Sequence, residues 1–153
     1  METQQVKVID GPLAPGVWER ADMEPHLVTA PKHEAVLHEL MRREPLFHRS
    51  ACGTKRTDFE KMTAPSFWEV SASGRRFSRQ FVLDTLEERY EHPTETVWEI
   101  RDAHCSEIAA DNYLVTYTLI QGGRVTRRAT IWRRTGEGWQ ILYHQGTAVV
   151  ARS

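Results

Sequence analysis

No run of the sequence approaches the roughly 20 consecutive apolar residues of a membrane-spanning helix, so no membrane span is expected. Cysteine is scarce. Cys52 and Cys105 stand far apart and in no metal-binding spacing, so reduced thiols are the default, with a disulfide between them left open. Charge of one sign is lacking as well. The 20 lysines and arginines are offset by 21 aspartates and glutamates, which leaves no basic footprint for nucleic acid or an anionic membrane. The opening residues METQQVKVID are polar, without a basic stretch leading into an apolar run. No secretory leader is expected, and the expected location is cytoplasmic.

The motifs of common chemistries are missing too. His33 and His38 are five apart, on diverging faces of a helix, and no H-E-x-x-H or carboxylate-rich loop occurs. Neither a metal nor a cofactor is expected. Gly122-Gly123 lies between strands rather than before a helix, so it is no phosphate loop. No G-x-S-x-G elbow supports a nucleophilic serine.

What remains is a chain of 153 residues with ordinary apolar and charged content, enough for one domain with one core. Residues 1–30 stand apart as an arm. They carry Pro12, Pro15 and Pro25 and show no sustained period, with one short strand expected at Val6–Ile9. Val17, Trp18, Leu27 and Val28 make the arm apolar enough to dock on its own domain or a partner. Residues 31–153 form the expected domain.

Pro31 opens a helical pattern with Val36, Leu37, Leu40 and Met41 on one stripe, closed by Pro45 at Arg43 or Glu44. Thr57 and Glu60 have capping-box spacing for a short helix that Pro65 stops. Phe67–Ser71 alternates as a strand, with Phe67 and Glu69 on one face and Trp68 and Val70 on the other. Ser78 caps a third helix, whose apolar face is Phe81, Val82, Thr85, Leu86 and Tyr90 and which Pro93 closes. From Thr96 the period changes from helical to alternating. Strands are predicted at about 96–108, 113–121, 124–134 and 139–149, joined by turns at Asp111-Asn112, Gly122-Gly123 and Gly136–Gly138. Helices first and a meander of strands afterward predict an α+β fold with the helices on one face of the sheet. In residues 113–120 neither face is plainly polar. The face away from the helices is therefore expected to meet a second copy of the chain, giving a homodimer through the sheet.

Two stretches carry a resemblance. The run Phe67–Arg75, FWEVSASGR, resembles a segment of the DUF4440, or SnoaL-like, branch of the NTF2-like superfamily. So does the final pair of strands, with Ile131-Trp132-Arg133-Arg134, a glycine-bearing turn, and then W-x-x-x-x-H-Q-G-T over Trp139–Thr147. The resemblance covers roughly residues 32–150. It implies a cone of about six curved strands around three or so helices, a central cavity, and dimerisation through the sheet. It does not imply one reaction, since relatives include isomerases, cyclases, dehydratases, transport factors and assembly subunits.

Within such a cone Glu69 is the first candidate acid or base, because burial in an apolar cavity raises a carboxyl pKa. Pairing with an arginine is the structural alternative. His144 and Gln145 lie on opposite faces of the last strand, so only one can face the cavity. A cavity His144 is a candidate acid–base group, and a cavity Gln145 a hydrogen-bonding anchor. Trp68, Trp98, Tyr117 and Trp132 are candidates to line the pocket, or simply core. Asp102 and His104 share a strand face at the spacing of a proton-transfer pair. Arg124, Arg127, Arg128, Arg133 and Arg134 cluster in one hairpin, either for an anionic ligand or opposite glutamates. Three functions stay open. One is a binding domain for a small apolar or carbonyl-containing ligand. Another is a cofactor-free isomerase, cyclase or dehydratase with Glu69 or His144 as base and Gln145 or Tyr117 polarising the carbonyl. The third is a subunit of a larger assembly.

Overall fold

The computed structural model of the chain describes residues 6–8, 24–45, 47, 49–92 and 97–150. Pro31–His33 forms a single 3-10 turn that leads into α1, Glu34–Met41. Val36, Leu40 and Met41 are its buried stripe. The helix stops at Met41, short of Arg43 or Glu44, because Arg49 reaches back and holds the next turn open. Its Nη2 donates to the Met41 carbonyl at 3.1 Å and its Nε to the Glu44 carbonyl at 2.8 Å.

The second helix, α2, covers Arg56–Met62. Its entry is fixed by Asp58 rather than by Thr57 and Glu60, since the Asp58 carboxylate accepts from the backbone N–H of Thr54 and Lys55. Pro65 is not its stop. The helix has already given way to strand β2, Thr63–Val70, and Pro65 lies inside that strand. A proline cannot donate to a sheet ladder, and it is tolerated here because the pairing of β2 is interrupted between Thr63 and Trp68. A short strand β3, Arg76–Ser78, then leads into α3, Arg79–Glu91. Ser78 caps α3 as expected, its hydroxyl accepting from Phe81 N–H. The buried stripe is Val82, Leu83 and Leu86. Phe81 instead stays 51% exposed and stacks on Phe77. Pro93 lies outside the described residues.

Four long strands follow: β4, Trp98–Ala109; β5, Asn112–Gln121; β6, Arg124–Thr135; and β7, Gly138–Ala148. Gly122 and Gly123, at φ 53° and 84°, make the two-residue turn whose twist matches the strands on either side. Six strands, β2 to β7, make the curved sheet expected from the sequence, and a seventh joins its edge. The extra one is β1, Val6–Val8, which pairs in parallel with β4 at Trp98–Ile100. With β1 numbered first, the order is β1-β4-β5-β6-β7-β2-β3, antiparallel except for the β1–β4 and β2–β7 pairs. Val17 and Trp18 of the arm lie outside the described residues. Its last residues run beside β4. Thr29 Oγ1 accepts from Cys105 N–H at 3.2 Å, the Val28 carbonyl meets His104 Nε2 at 3.3 Å, and Glu24 pairs with Arg127 at 3.6 Å. Leu27 and Val28 remain exposed.

The three helices cover one face of the sheet, and the core lies between. Leu40, Phe59, Leu83 and Leu86 meet Ile100, Val115, Leu119 and Ile141 there. Burying each such side chain contributes roughly 2 kcal/mol. Trp139 ties sheet to helix, its indole N–H donating to Glu39 at 2.9 Å. Two irregularities bend the sheet around the helices. One lies in β4 at Asp102, which has φ 56°, and the other in β7 between the partners of Ile131 and Trp132. The second matters most, because one extra residue flips the alternation. Trp139 and Ile141 point inward, but beyond Leu142 it is His144 and Gly146 that are buried, while Tyr143 turns outward. Among the described residues no helix is long and apolar enough to cross a membrane.

Candidate functional site

The register of the sheet places two polar rows side by side on its inner face. In one row Val115, Thr130, His144 and Glu69 are successive neighbours across β5, β6, β7 and β2. In the next, Tyr117, Arg128 and Gly146 are neighbours across β5, β6 and β7. A third row, Tyr113, Trp132 and Ile141, closes the group with apolar surface. Sheet pairing alone thus converges a carboxyl, an imidazole, a guanidinium and a phenol beneath the helices.

A second carboxylate enters from the other side. Glu44, in the turn after α1, is fully buried and precedes a cis peptide bond to Pro45. Its two oxygens accept from Tyr117 O–H at 2.6 Å and Trp132 Nε1–H at 3.1 Å. A buried carboxylate is tolerable only with such donors. Tyr117 and Trp132 are therefore committed to Glu44 by their polar ends while their rings line the interior.

His144 is also engaged. Its Nδ1 lies 2.8 Å from Thr130 Oγ1, and its Nε2 lies 3.5 Å from Arg128 Nη1. Arginine can only donate, so these partners assign Nε2 as acceptor and place the proton on Nδ1, facing Thr130. Arg128 Nε donates to Thr126 Oγ1 at 2.9 Å. The guanidinium rests over Gly146, where a Cβ would stand 2.9 Å from Nη1 and 3.3 Å from the Ala72 backbone nitrogen. The missing side chain at 146 is what seats Arg128.

Two charged groups of this cluster are left over. Glu69 is half-buried and forms no hydrogen bond or ion pair among the described residues. Burial pushes its carboxyl up from the ordinary glutamate value, with the positive charges of Arg128 and Arg89 opposing the shift. Arg128 makes no ion pair among the described residues, and its Nη2 has no partner there. Burial pulls it below the ordinary arginine value. The pair is thus a carboxyl that holds a proton more tightly than usual beside a guanidinium with an idle edge.

The other sequence candidates fall elsewhere. Trp68 and Gln145 lie on the outer face, because strand alternation opposes them to Glu69 and His144. Trp68 is 44% exposed and packs on Tyr143, whose hydroxyl donates to Gln145. Trp98 is in the core. Asp102 bonds to Thr118 and faces Arg127, whereas His104 meets Val28, so the two do not act on one another. The cysteines are not joined, and burial drives the Cys105 thiol up to about 11. Among the described residues no group of three histidine, cysteine or carboxylate side chains is placed to hold a metal. A shallow open depression of about 450 Å³ lies outside the cone between Trp68, Arg76, Phe77 and Ser78. It offers aromatic surface and one cation but no acid–base pair. Glu44 and Gly146 carry no site signal in the sequence, and Arg128 stands out there only as one of five hairpin arginines suited to an anionic ligand or to glutamate partners. Counting back from the Gly122-Gly123 turn would have set Arg128 opposite Tyr117. For Glu44, nothing local marks a carboxylate that turns inward.

Solved structures share this architecture. A proposed dehydratase of the NTF2-like family from Streptomyces avermitilis superposes at TM-score 0.61 and 18% identity, over 77% of this chain and 99% of that one. The fold is NTF2-like. An NTF2-like protein of unknown function in nutrient uptake from Rhodospirillum rubrum matches at TM-score 0.55 and 19% identity, over 76% of this chain and 98% of the other. An NTF2-like protein of unknown function from Pseudomonas putida matches at TM-score 0.58 and 15% identity, over 78% and 89%. No protein-family model and no curated protein matches the chain by sequence. At these identities the likeness establishes the fold and leaves the chemistry to the residues.

Proposed function

We propose that this NTF2-like chain binds a small, largely apolar ligand with a carbonyl group inside its cone. The observation that carries this reading is the leftover pair, with Glu69 lacking a hydrogen bond and Arg128 an ion pair among the described residues, beside Glu44, Tyr117, Trp132 and His144, each of which has a partner. A buried charge without a partner is costly, and a few polar groups converging amid aromatic side chains are the usual makings of a ligand site. The Arg128 Nη2 edge donates to the ligand oxygen. Trp132, Tyr117 and Phe67 supply apolar wall.

A second reading rests on Glu69 itself. A carboxyl with a raised pKa and no competing hydrogen bond suits proton abstraction next to a carbonyl, with Arg128 stabilising the developing oxyanion. That would make the chain a cofactor-free isomerase or dehydratase, the second being the reaction class proposed for the Streptomyces neighbour. His144 enters this scheme as a positioning residue for Arg128, since both its ring nitrogens are occupied.

The outer face supports dimerisation through the sheet. Leu114, Ile131, Tyr143 and Trp68 form one transverse row there, beside the part that Glu24 and Arg127 cover. A second copy is the proposed occupant of that row.

Calorimetric titration of the purified protein with acetophenone and cyclohexanone tests the ligand reading. Saturable heat that disappears in Arg128→Gln, with the fold intact by circular dichroism, is expected. Equal heat in the variant would place binding outside the cone.

A further inference from the structure

Resting on the ligand reading above, we infer that the ligand is a small organic carboxylate with an apolar tail, its carboxylate seated on the guanidinium of Arg128 over Gly146. The first argument is geometric. A neutral carbonyl needs one donor, and Tyr117 and Trp132 could have supplied it, yet both are turned to Glu44. What the cone presents instead is a positive charge with an edge that is idle among the described residues. A guanidinium matches a carboxylate through paired, parallel hydrogen bonds and does so better than any neutral acceptor.

The second argument is the construction of the seat. Arg128 is held on three sides, by Thr126 at Nε, by His144 at Nη1, and by the bare backbone of Gly146 beneath. His144 is fixed in turn by Thr130. Such support freezes the planar fork before a ligand arrives and lowers the ordering cost of binding. An arginine that served only to neutralise a glutamate would be expected in contact with one. Neither Glu69 nor Glu44 forms an ion pair with it, although both act on it through space.

Glu69 explains how an anion can enter beside a carboxyl. In its protonated form it donates to one ligand oxygen while Arg128 donates to the other, so binding takes up a proton when Glu69 starts ionised. Arg128 on β6 and Arg89 on α3 act on Glu69, and His144 on β7 is its cross-strand neighbour, while Tyr117 on β5, Arg124 on β6 and Glu44 after α1 act on Arg128. Arg128 and Arg89 oppose the proton and the buried setting favours it. Carboxylate affinity therefore falls as pH rises through the Glu69 titration.

The test is calorimetric titration of the whole chain with benzoate and butyrate against benzamide and butyramide, and with acetophenone as the neutral ketone. The acids are expected to bind about tenfold or more tighter than their amides. Arg128→Lys keeps the charge but loses the fork and is expected to weaken the acids about tenfold. Gly146→Ala displaces the guanidinium, with a Cβ 2.9 Å from Nη1, and is expected to weaken the acids likewise, its fold being checked by circular dichroism because the same Cβ stands 3.3 Å from the Ala72 backbone nitrogen. Glu69→Gln is expected to remove the pH dependence of benzoate binding, which in the wild-type chain weakens as pH rises through the Glu69 titration. If acetophenone and the amides bind as tightly as the acids, the carboxylate inference is overturned and the carbonyl-ligand reading stands. If acids bind but neither Arg128→Lys nor Gly146→Ala affects them, the seat is elsewhere and the inference is overturned. If nothing binds in the millimolar range, both readings fall.

Discussion

Tyr117 and Glu44 offer the sharpest quantitative test of the interior. Tyr117→Phe removes one hydroxyl and leaves the ring in place. The Glu44 oxygen that accepted from it at 2.6 Å then loses a donor in a setting where Glu44 is 0% and Tyr117 3% exposed. A hydrogen bond to a charged partner contributes about 1.5–3 kcal/mol, and a buried acceptor left short costs a similar amount. We expect Tyr117→Phe to destabilise the chain by about 2–3 kcal/mol, read as a lower urea midpoint at unchanged slope. Glu44→Gln should cost less, about 1–2 kcal/mol. Its amide oxygen still accepts from Trp132 Nε1–H, and its amide nitrogen donates to Tyr117, whose hydroxyl can accept. Because the two residues share one bond, the double variant should fall short of the summed losses by about 1 kcal/mol or more. Additive losses, or a Tyr117→Phe effect below about 0.5 kcal/mol, would refute the buried network.

Other expectations follow from single residues. Glu69 holds its proton more tightly folded than unfolded, so its contribution to stability is present at low pH and is lost as pH rises through the unfolded and then the folded pKa. Thermal melts should show Glu69→Gln gaining on the wild-type chain over that climb and matching it below. Gly53 has φ 113°, and a Cβ there would lie 2.4 Å from Asp58 Cβ. Gly53→Ala should therefore cost about 1–3 kcal/mol by displacing the residue that caps α2, measured by the shift of the urea midpoint. Ile131→Arg, in the middle of the outer row, should convert a dimer to a monomer by sedimentation while leaving ligand titrations unchanged. A wild-type chain that sediments as a monomer at high concentration would remove the dimer proposal.

Much of the fold was legible because periodicity and turn chemistry are local. The Gly122-Gly123 turn and the alternation on either side set the inner ends of the β5–β6 hairpin at 121 and 124 and its outer ends to within one residue. Ser78 as a cap and a short strand beginning at Val6 were equally readable. The site was half legible for the same reason. Alternation alone sets Glu69 opposite Trp68 and His144 opposite Gln145, but not which side is inside. The β7 bulge decides that for His144, since without the extra residue Tyr143 would have continued the inward run of Trp139 and Ile141. The sequence shows no glycine or proline at that bulge. Pro65 misled because proline usually stops a helix, whereas here a gap in strand pairing accommodates it. Glu44 was hidden because its role is set by partners 73 and 88 residues away.

The claim that a ligand occupies the cone is tested most directly by the indole N–H signals in a nitrogen–proton correlation spectrum. The chain has five tryptophans, and two of them report opposite faces. Trp132 is buried, with its N–H on Glu44, and Trp68 is exposed on the outer face. Titration with benzoate should move the Trp132 signal progressively to saturation and leave Trp68 in place. Movement of Trp68 with Trp132 unchanged would contradict the account, because the ligand would then sit on the outer surface and the Glu69–Arg128 pair would be unoccupied by it.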